Sequence, residues 1–246
     1  MYRVTWIPAI LFGLSVPVFL VSASVSWAFN DPGVYQGGFQ KYDISRRTGI
    51  TDADLRQVAA DLRGYFNSRE EPLTVVTRVY GTEQAIFKPR EVLHMADVKR
   101  LVQWVYVLCL VSGVYLLAAT AWGFTSQRGQ FVPWLAQRGL WGGGLTLGLV
   151  VAVGLFALTG FDSLFLKFHQ LSFANDFWLL DPRTDYLLLL FPQGFWFDVT
   201  MRVVVLVVAG AAVLTAACGG YLLRRRWLAN GWPVVGGKGS RISPSG

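Results

Sequence analysis

Four long apolar runs divide the chain, and two polar stretches of unequal character separate the first from the second and the third from the fourth. The runs are Val4–Phe29, Leu101–Phe124, Leu140–Gly160 and Val199–Leu223. Each is long enough to cross a hydrocarbon core of about 30 Å as a helix, which takes roughly 20 residues. No Asp, Glu or Lys interrupts any of the four interiors. Pro8 and Pro17 predict a kinked first helix, with neighbouring helices supporting the freed carbonyls. That run continues through Trp27 and Phe29, past the usual length of a secretory signal core, and so reads as an uncleaved anchor.

The first polar stretch has the pattern of a small folded cap. Thr51 followed by Asp52 and Asp54 predicts a capped helix start, and Leu55, Val58, Ala59, Leu62 and Phe66 recur at helical spacing behind it. Leu73–Tyr80 alternates, Gly81-Thr82-Glu83 predicts a turn, and Gln84–Phe87 predicts a returning strand. Such a hairpin is marginal alone and should rest on the helix or the membrane surface. After Lys88-Pro89 a helix should begin and run straight into the second span, placing Glu91, His94, Asp97 and Leu101 on one face. Glu91 and Lys99 are expected to be solvated there, with Lys99 and Arg100 as interface anchors.

The second polar stretch, Phe161–Asp198, mixes aromatics with Asp162, Asp176, Asp181, Asp185 and Asp198. It is too polar to span and too apolar for a solvated loop, which predicts amphipathic helices lying in the interface. His169 should sit on a face of aromatics and carboxylates, with Phe165 and Phe173 four residues away and Asp162 and Asp176 seven. Thr184-Asp185 predicts the start of a short helix ending at Pro192. Asp198 and Arg202, four apart, are expected either to pair at the membrane edge or to serve a substrate. Gly142-Gly143-Gly144 and Gly219-Gly220 predict close helix packing.

Composition agrees with a membrane protein: 53% hydrophobic residues, 15% charged and a mean hydropathy of +0.42. Charge adds orientation. All 15 acidic residues lie in Asn30–Arg100 and Phe161–Asp198, whereas Arg3, Arg128, Arg138, Arg224, Arg225, Arg226, Lys238 and Arg241 occupy the other segments with no acid beside them. That asymmetry predicts both termini and the Thr125–Gly139 connection in the cytoplasm. The net charge of +7 is thus mainly a topology signal, and no basic face suggests a nucleic-acid partner. Cys109 and Cys218 fall mid-span and read as small buried apolar side chains.

These patterns give a mainly α fold: a four-helix transmembrane bundle with a small extracytoplasmic α+β cap and an amphipathic interfacial segment. The expected organisation is a first transmembrane helix (1–29), the cap (30–99), helices two and three (100–160), the interfacial segment (161–198), the fourth helix (199–223) and a cytoplasmic tail (224–246). The only two histidines, His94 and His169, fall at the same predicted membrane surface. Imidazole exchanges protons near neutrality, so such a pair suits proton transfer on a membrane-embedded substrate.

Two strings carry a family signature. Pro89-Arg90-Glu91-Val92-Leu93-His94-Met95-Ala96-Asp97-Val98-Lys99 contains E-x-x-H-M-x-D-V-K before the second span. His169-Gln170-Leu171-Ser172-Phe173-Ala174-Asn175-Asp176-Phe177-Trp178-Leu179-Leu180-Asp181-Pro182 contains H-x-x-x-F-x-N-x-x-W-x-x-D-P after the third. In these strings, and in topology over roughly Trp6–Leu223, the chain resembles the bacterial lipoprotein intramolecular transacylases. The resemblance implies a multi-pass protein of the cytoplasmic membrane, with its active site on the outer face. It also implies transfer of an acyl chain from the glycerol of a diacylglyceryl-modified cysteine to that cysteine's own α-amine, giving a lyso-form lipoprotein, with His94 and His169 central to activity.

The chemistry fits the residues. One His can accept the amine proton while the other, kept protonated by a carboxylate such as Asp97 or Asp176, protonates the glycerol oxygen. Asn175 can donate to the oxyanion. Glu91, Asp176, Trp178, Asp181, Asp198 and Arg202 are candidate substrate-binding residues. The expected partners are a diacylglyceryl lipoprotein N-terminus and membrane lipid, with the protein a monomer and no metal or other cofactor required. Two alternatives stay open. One is a metal-dependent membrane hydrolase using His94, His169 and Asp97 or Asp181, although no H-E-x-x-H spacing occurs. The other is a non-enzymatic lipid- or protein-binding protein of the envelope.

Overall fold

The computed structural model describes residues 6–127, 131–157 and 160–229. In chain order the elements are α1 (Trp6–Asn30), α2 (Pro32–Lys41), α3 (Ile44–Thr48), α4 (Asp52–Asn67), β1 (Val76–Val79), β2 (Thr82–Ala85), α5 (Pro89–Gln127), α6 (Phe131–Ala157), α7 (Phe161–Ser172), α8 (Tyr186–Leu190) and α9 (Gln193–Ala229). Helices α1, α5, α6 and α9 are the four long and apolar enough to cross a membrane, so this is a multi-pass membrane protein with a mainly α fold. Arg3, Arg128, Lys238 and Arg241, used above for orientation, lie outside the described residues.

The membrane bundle is held by small residues. α6 packs chiefly on α9 and α1, and α1 on α5. A Cβ on Gly142 would fall 2.7 Å from Val16 Cβ and 2.9 Å from the Gly13 carbonyl, and one on Gly143 would fall 2.3 Å from Thr215 Oγ1. Without side chains at those two positions the helices meet nearly backbone to backbone. The Gly13 carbonyl is the one that Pro17 cannot satisfy, and α1 runs unbroken through that proline. The close-packing expectation does not extend further. Gly144 and Gly220 have nothing within 4 Å of a modest added carbon, and Gly219 has only Leu140 at 3.6 Å. The expected Thr125–Gly139 connection is also shorter, because α5 continues to Gln127 and α6 begins at Phe131. Helices carry on past the hydrocarbon wherever their polar turns remain good helix formers.

α5 shows this best. Its 39 residues make a rod of about 58 Å at a rise of 1.5 Å per residue, roughly twice the hydrocarbon thickness. The Leu101–Phe124 portion spans, and Pro89–Arg100, with its three cationic and two acidic residues, projects beyond the lipid tails.

Beyond the membrane the two outer stretches share a single core. Ile44, Ile50, Leu55, Val58 and Leu62 from the first stretch pack with Leu187, Leu190, Phe191 and Phe195 from the second, and Tyr35 and Phe39 of α2 join them. α4 starts as expected, with the Thr51 hydroxyl accepting from Asp54 N–H at 3.2 Å. The hairpin turn is tighter than expected. Tyr80 and Gly81 occupy it alone, both at positive φ (49° and 83°), and Thr82 and Glu83 already belong to β2. Two-residue loops of this hand match the strand twist. The Tyr80 N–H donates to the Gly49 carbonyl at 2.8 Å and Ile50 bridges Val79, so the hairpin is anchored to the chain before α4.

Candidate active site

His94 lies in the second turn of α5, outside the membrane, and His169 near the end of α7. The amphipathic α7 leaves Phe168 and Leu171 exposed and buries His169. The two rings meet. Their centroids are 5.9 Å apart, tilted by 32°, with only 6% and 8% of each residue exposed. Aromatic side chains enclose them: Phe173 lies 5.1 Å from His94, and Phe165, Phe168, Phe173 and Trp178 lie within 4.3–5.5 Å of His169.

The pair is electrically quiet. Burial pushes His94 down to about 4, and the neighbouring His169 adds to that, against a smaller upward pull from Asp97. Burial also lowers His169, opposed by its hydrogen bond to Phe165. The pull of Asp97 on His94 is thus the smaller effect, and burial is the larger one at both rings. Desolvation outweighs an anion that is already committed elsewhere. The His169 Nδ1–H donates to the Phe165 carbonyl at 2.8 Å, because a carbonyl can only accept. The neutral ring is then the Nδ1–H tautomer, with a lone pair on Nε2. His94 Nδ1 is buried without a hydrogen-bond partner among the described residues.

Asp97, one turn below His94, spends its carboxylate on positioning. One oxygen pairs with Arg100 and the other accepts from Asn175 Nδ2 at 2.8 Å. Asn175 Oδ1 in turn accepts from Phe177 N–H at 3.1 Å. Arg90 donates to the Asp176 carbonyl. These bonds tie the loop after α7 to the start of α5 and so hold His169 and Trp178 over His94. Spacing alone could have suggested the Asp97–Arg100 pair, since it is three residues apart on a helix; nothing in the sequence marks Arg90.

Glu91 and Lys99 are the clearest corrections, because both are buried rather than solvated. Glu91 is fully buried; its two oxygens accept from Lys88 N–H at 2.8 Å and Leu187 N–H at 2.7 Å. It caps its own helix and α8 together, work that leaves neither oxygen free for a substrate. Burial raises its pKa, partly offset by those two N–H groups. Lys99 is 3% exposed, with its ammonium 2.5 Å from the Glu70 carbonyl, 3.3 Å from Glu71 and 4.0 Å from the centre of the Tyr65 ring.

The remaining candidates lie apart from the rings. Asp181 forms a turn with Arg183 N–H at 2.9 Å, and its own N–H donates to Asp185 at 2.8 Å. The Asp176 side chain is exposed. Asp198 does not pair with Arg202; it binds Lys41 at 2.5 Å and the Tyr42 hydroxyl at 2.9 Å, because α2, unseen in the sequence, brings them to α9. Arg202 is exposed beside Gly37. Among the described residues no three His, Cys, Asp or Glu side chains converge as metal ligands.

Known proteins share this architecture. A protein of Aquifex aeolicus (strain VF5) with no characterised role is 25% identical over 207 residues, 81% of this chain and 83% of that one. The solved structure of the membrane integral lipoprotein intramolecular transacylase Lit from Bacillus cereus superposes with a TM-score of 0.71, covering 90% of this chain and 97% of that one. A His→Ala variant of the same protein gives 0.69 over 90% and 94%. At 15% identity those structures establish the shared fold. The family model for lipoprotein intramolecular transacylase Lit matches residues 10–196, taking in the whole cap and both histidine strings, and by that match the chain belongs to the lipoprotein intramolecular transacylase family.

Proposed function

We propose that the protein moves an O-acyl chain from the diacylglyceryl group of a lipoprotein's N-terminal cysteine to the α-amine of the same cysteine. The reading rests on one observation above others: two buried imidazoles 5.9 Å apart in an aromatic enclosure at the outer end of the spans. The new bond is the amide C–N, the broken bond is the ester C–O, and one proton travels from the amine to the glycerol oxygen. His169 Nε2 takes that proton as the tetrahedral intermediate forms and returns it to the leaving alkoxide. His94, kept neutral by burial, donates a ring N–H to the carbonyl oxygen as it gains charge, a kind of contact typically worth about 2.7–4 kcal/mol. The second amide hydrogen of Asn175 is a further donor at the same place. Amine and ester belong to one molecule, which supplies the proximity. Asp97 is a positioning residue, and Trp178 and the phenylalanines exclude water.

The site faces outward and both termini lie in the cytoplasm, as the charge asymmetry supports. A monomer suffices, since both rings come from one chain. The test is expression in a host that makes only diacyl lipoproteins, followed by mass spectrometry of a reporter lipopeptide. His94→Ala and His169→Ala should each lower N-acyl lyso-product by roughly 10²–10⁴-fold while inserting at normal levels. Undiminished product in either variant refutes the assignment.

A further inference from the structure

At the end of the bundle farthest from the histidines, a groove of about 610 Å³ runs between α6 and α9. Its walls are Leu140, Trp141 and Leu222, and Gly144 leaves open space where a side chain would otherwise fill it. Arg225 and Arg226 form its rim, one turn beyond Leu222 and so about 5 Å farther from the membrane centre. The groove thus has an apolar floor at the depth of acyl chains and two guanidinium groups at the depth of headgroups. Its size lies within the range of about 300–1,000 Å³ usual for small-molecule sites.

Among the described residues neither Arg225 nor Arg226 forms an ion pair. No Asp or Glu occurs among the described residues 6–30, 98–127, 131–157 and 199–229, from which the four spans are built. A lipid phosphate supplies the compensating charge, and lipid is the neighbour of an apolar groove on a spanning helix pair. Guanidinium forks match phosphodiester oxygens in shape as well as charge.

We propose that this groove is a binding site for an anionic phospholipid, with one acyl chain along Leu140, Trp141 and Leu222 and the phosphodiester on Arg225 and Arg226. The site is independent of the reaction at the histidine pair. Two basic groups near a membrane surface contribute enough for a preference of roughly thirty-fold over a zwitterionic lipid.

Native mass spectrometry of the full-length protein, with equimolar phosphatidylglycerol and phosphatidylcholine added to the detergent, tests this. Phosphatidylglycerol should be retained preferentially, and the double substitution R225Q/R226Q should remove most of that roughly thirty-fold preference. Gly144→Leu, which fills the floor and leaves the rim intact, should weaken retention of phosphatidylglycerol as well. Millimolar inorganic phosphate should not displace the lipid. Equal retention of the two lipids by the unaltered protein overturns the proposal, as does undiminished preference in R225Q/R226Q or undiminished retention in Gly144→Leu. Full displacement by phosphate overturns it too, since the rim would then be a site for the free anion.

Discussion

Glu91 and His94 lie one turn apart on the same face of α5 and are buried with opposite consequences. His94 is neutral when buried, so folding excludes a proton that the unfolded imidazole, with a pKa of about 6.5, would bind. Between that value and about 4 the unfolded chain carries more protons, and stability therefore rises with pH across the window and is lost as pH falls through it. The contribution is at most about 3 kcal/mol, and His169 adds in the same direction. Glu91 works the other way, since a raised carboxyl pKa favours the folded state at lower pH. Thermal unfolding in detergent should show a steeper acid-side slope for the native protein than for His94→Asn, which isolates the imidazole from Glu91. Identical slopes would mean that His94 is not desolvated as described.

At the scale of elements, the organising contact is the double cap on α5 and α8. Glu91 satisfies one N–H at each of two helix starts, and the donor at the second, Leu187, is 96 residues from it in the chain. Glu91→Gln keeps the shape but turns an NH₂ toward one of those donors, leaving a buried N–H unmet at a cost of about 1–3 kcal/mol. The expected result is a lower melting temperature together with reduced transfer, while Arg183→Gln, at an exposed turn, should change neither. That role could not be read from the sequence, because the partner is a backbone group on a distant loop. α4 and the start of α5 were legible for the opposite reason: Thr51, Lys88-Pro89 and the 3.6-residue period are local signals. α2 escaped detection because Gly33, Gly37 and Gly38 depress helix propensity. It forms because Gly38 admits the Phe195 ring, whose nearest carbon would be 2.3 Å from an added Cβ, so tertiary packing decides what local preference does not. With α2 unseen, Asp198 was matched to Arg202 rather than to Lys41 and Tyr42.

For the whole molecule, the four spans and the meeting of His94 with His169 were readable, since hydropathy fixes the membrane level and both rings fall at it. The merging of two outer stretches into one core was not, because Leu187, Leu190 and Phe191 look equally suited to lie on lipid. The distribution of charge predicts an experimental orientation. A fluorescent protein fused to the C-terminus should mature in the cytoplasm, and Glu83→Cys, exposed on β2, should react with a membrane-impermeant maleimide in cells whose inner membrane is intact. The native Cys109 and Cys218 provide the blank, since both lie within spans. Labelling of Glu83→Cys only after lysis would invert the topology and place the histidines on the wrong side for an exported lipoprotein.

The unbroken length of α5 makes it a lever. α1 packs along its lower arm, and the upper arm carries His94, with no proline, glycine hinge or loop between Pro89 and Leu101 to absorb rotation. The opposing ring is carried by α7, an amphipathic helix of 12 residues that is too short to cross a bilayer. Asn175 on Asp97 and Arg90 on the Asp176 carbonyl tie the α7 loop to that same arm, so a bilayer that tilts the shaft carries both rings with it and leaves their spacing as it is.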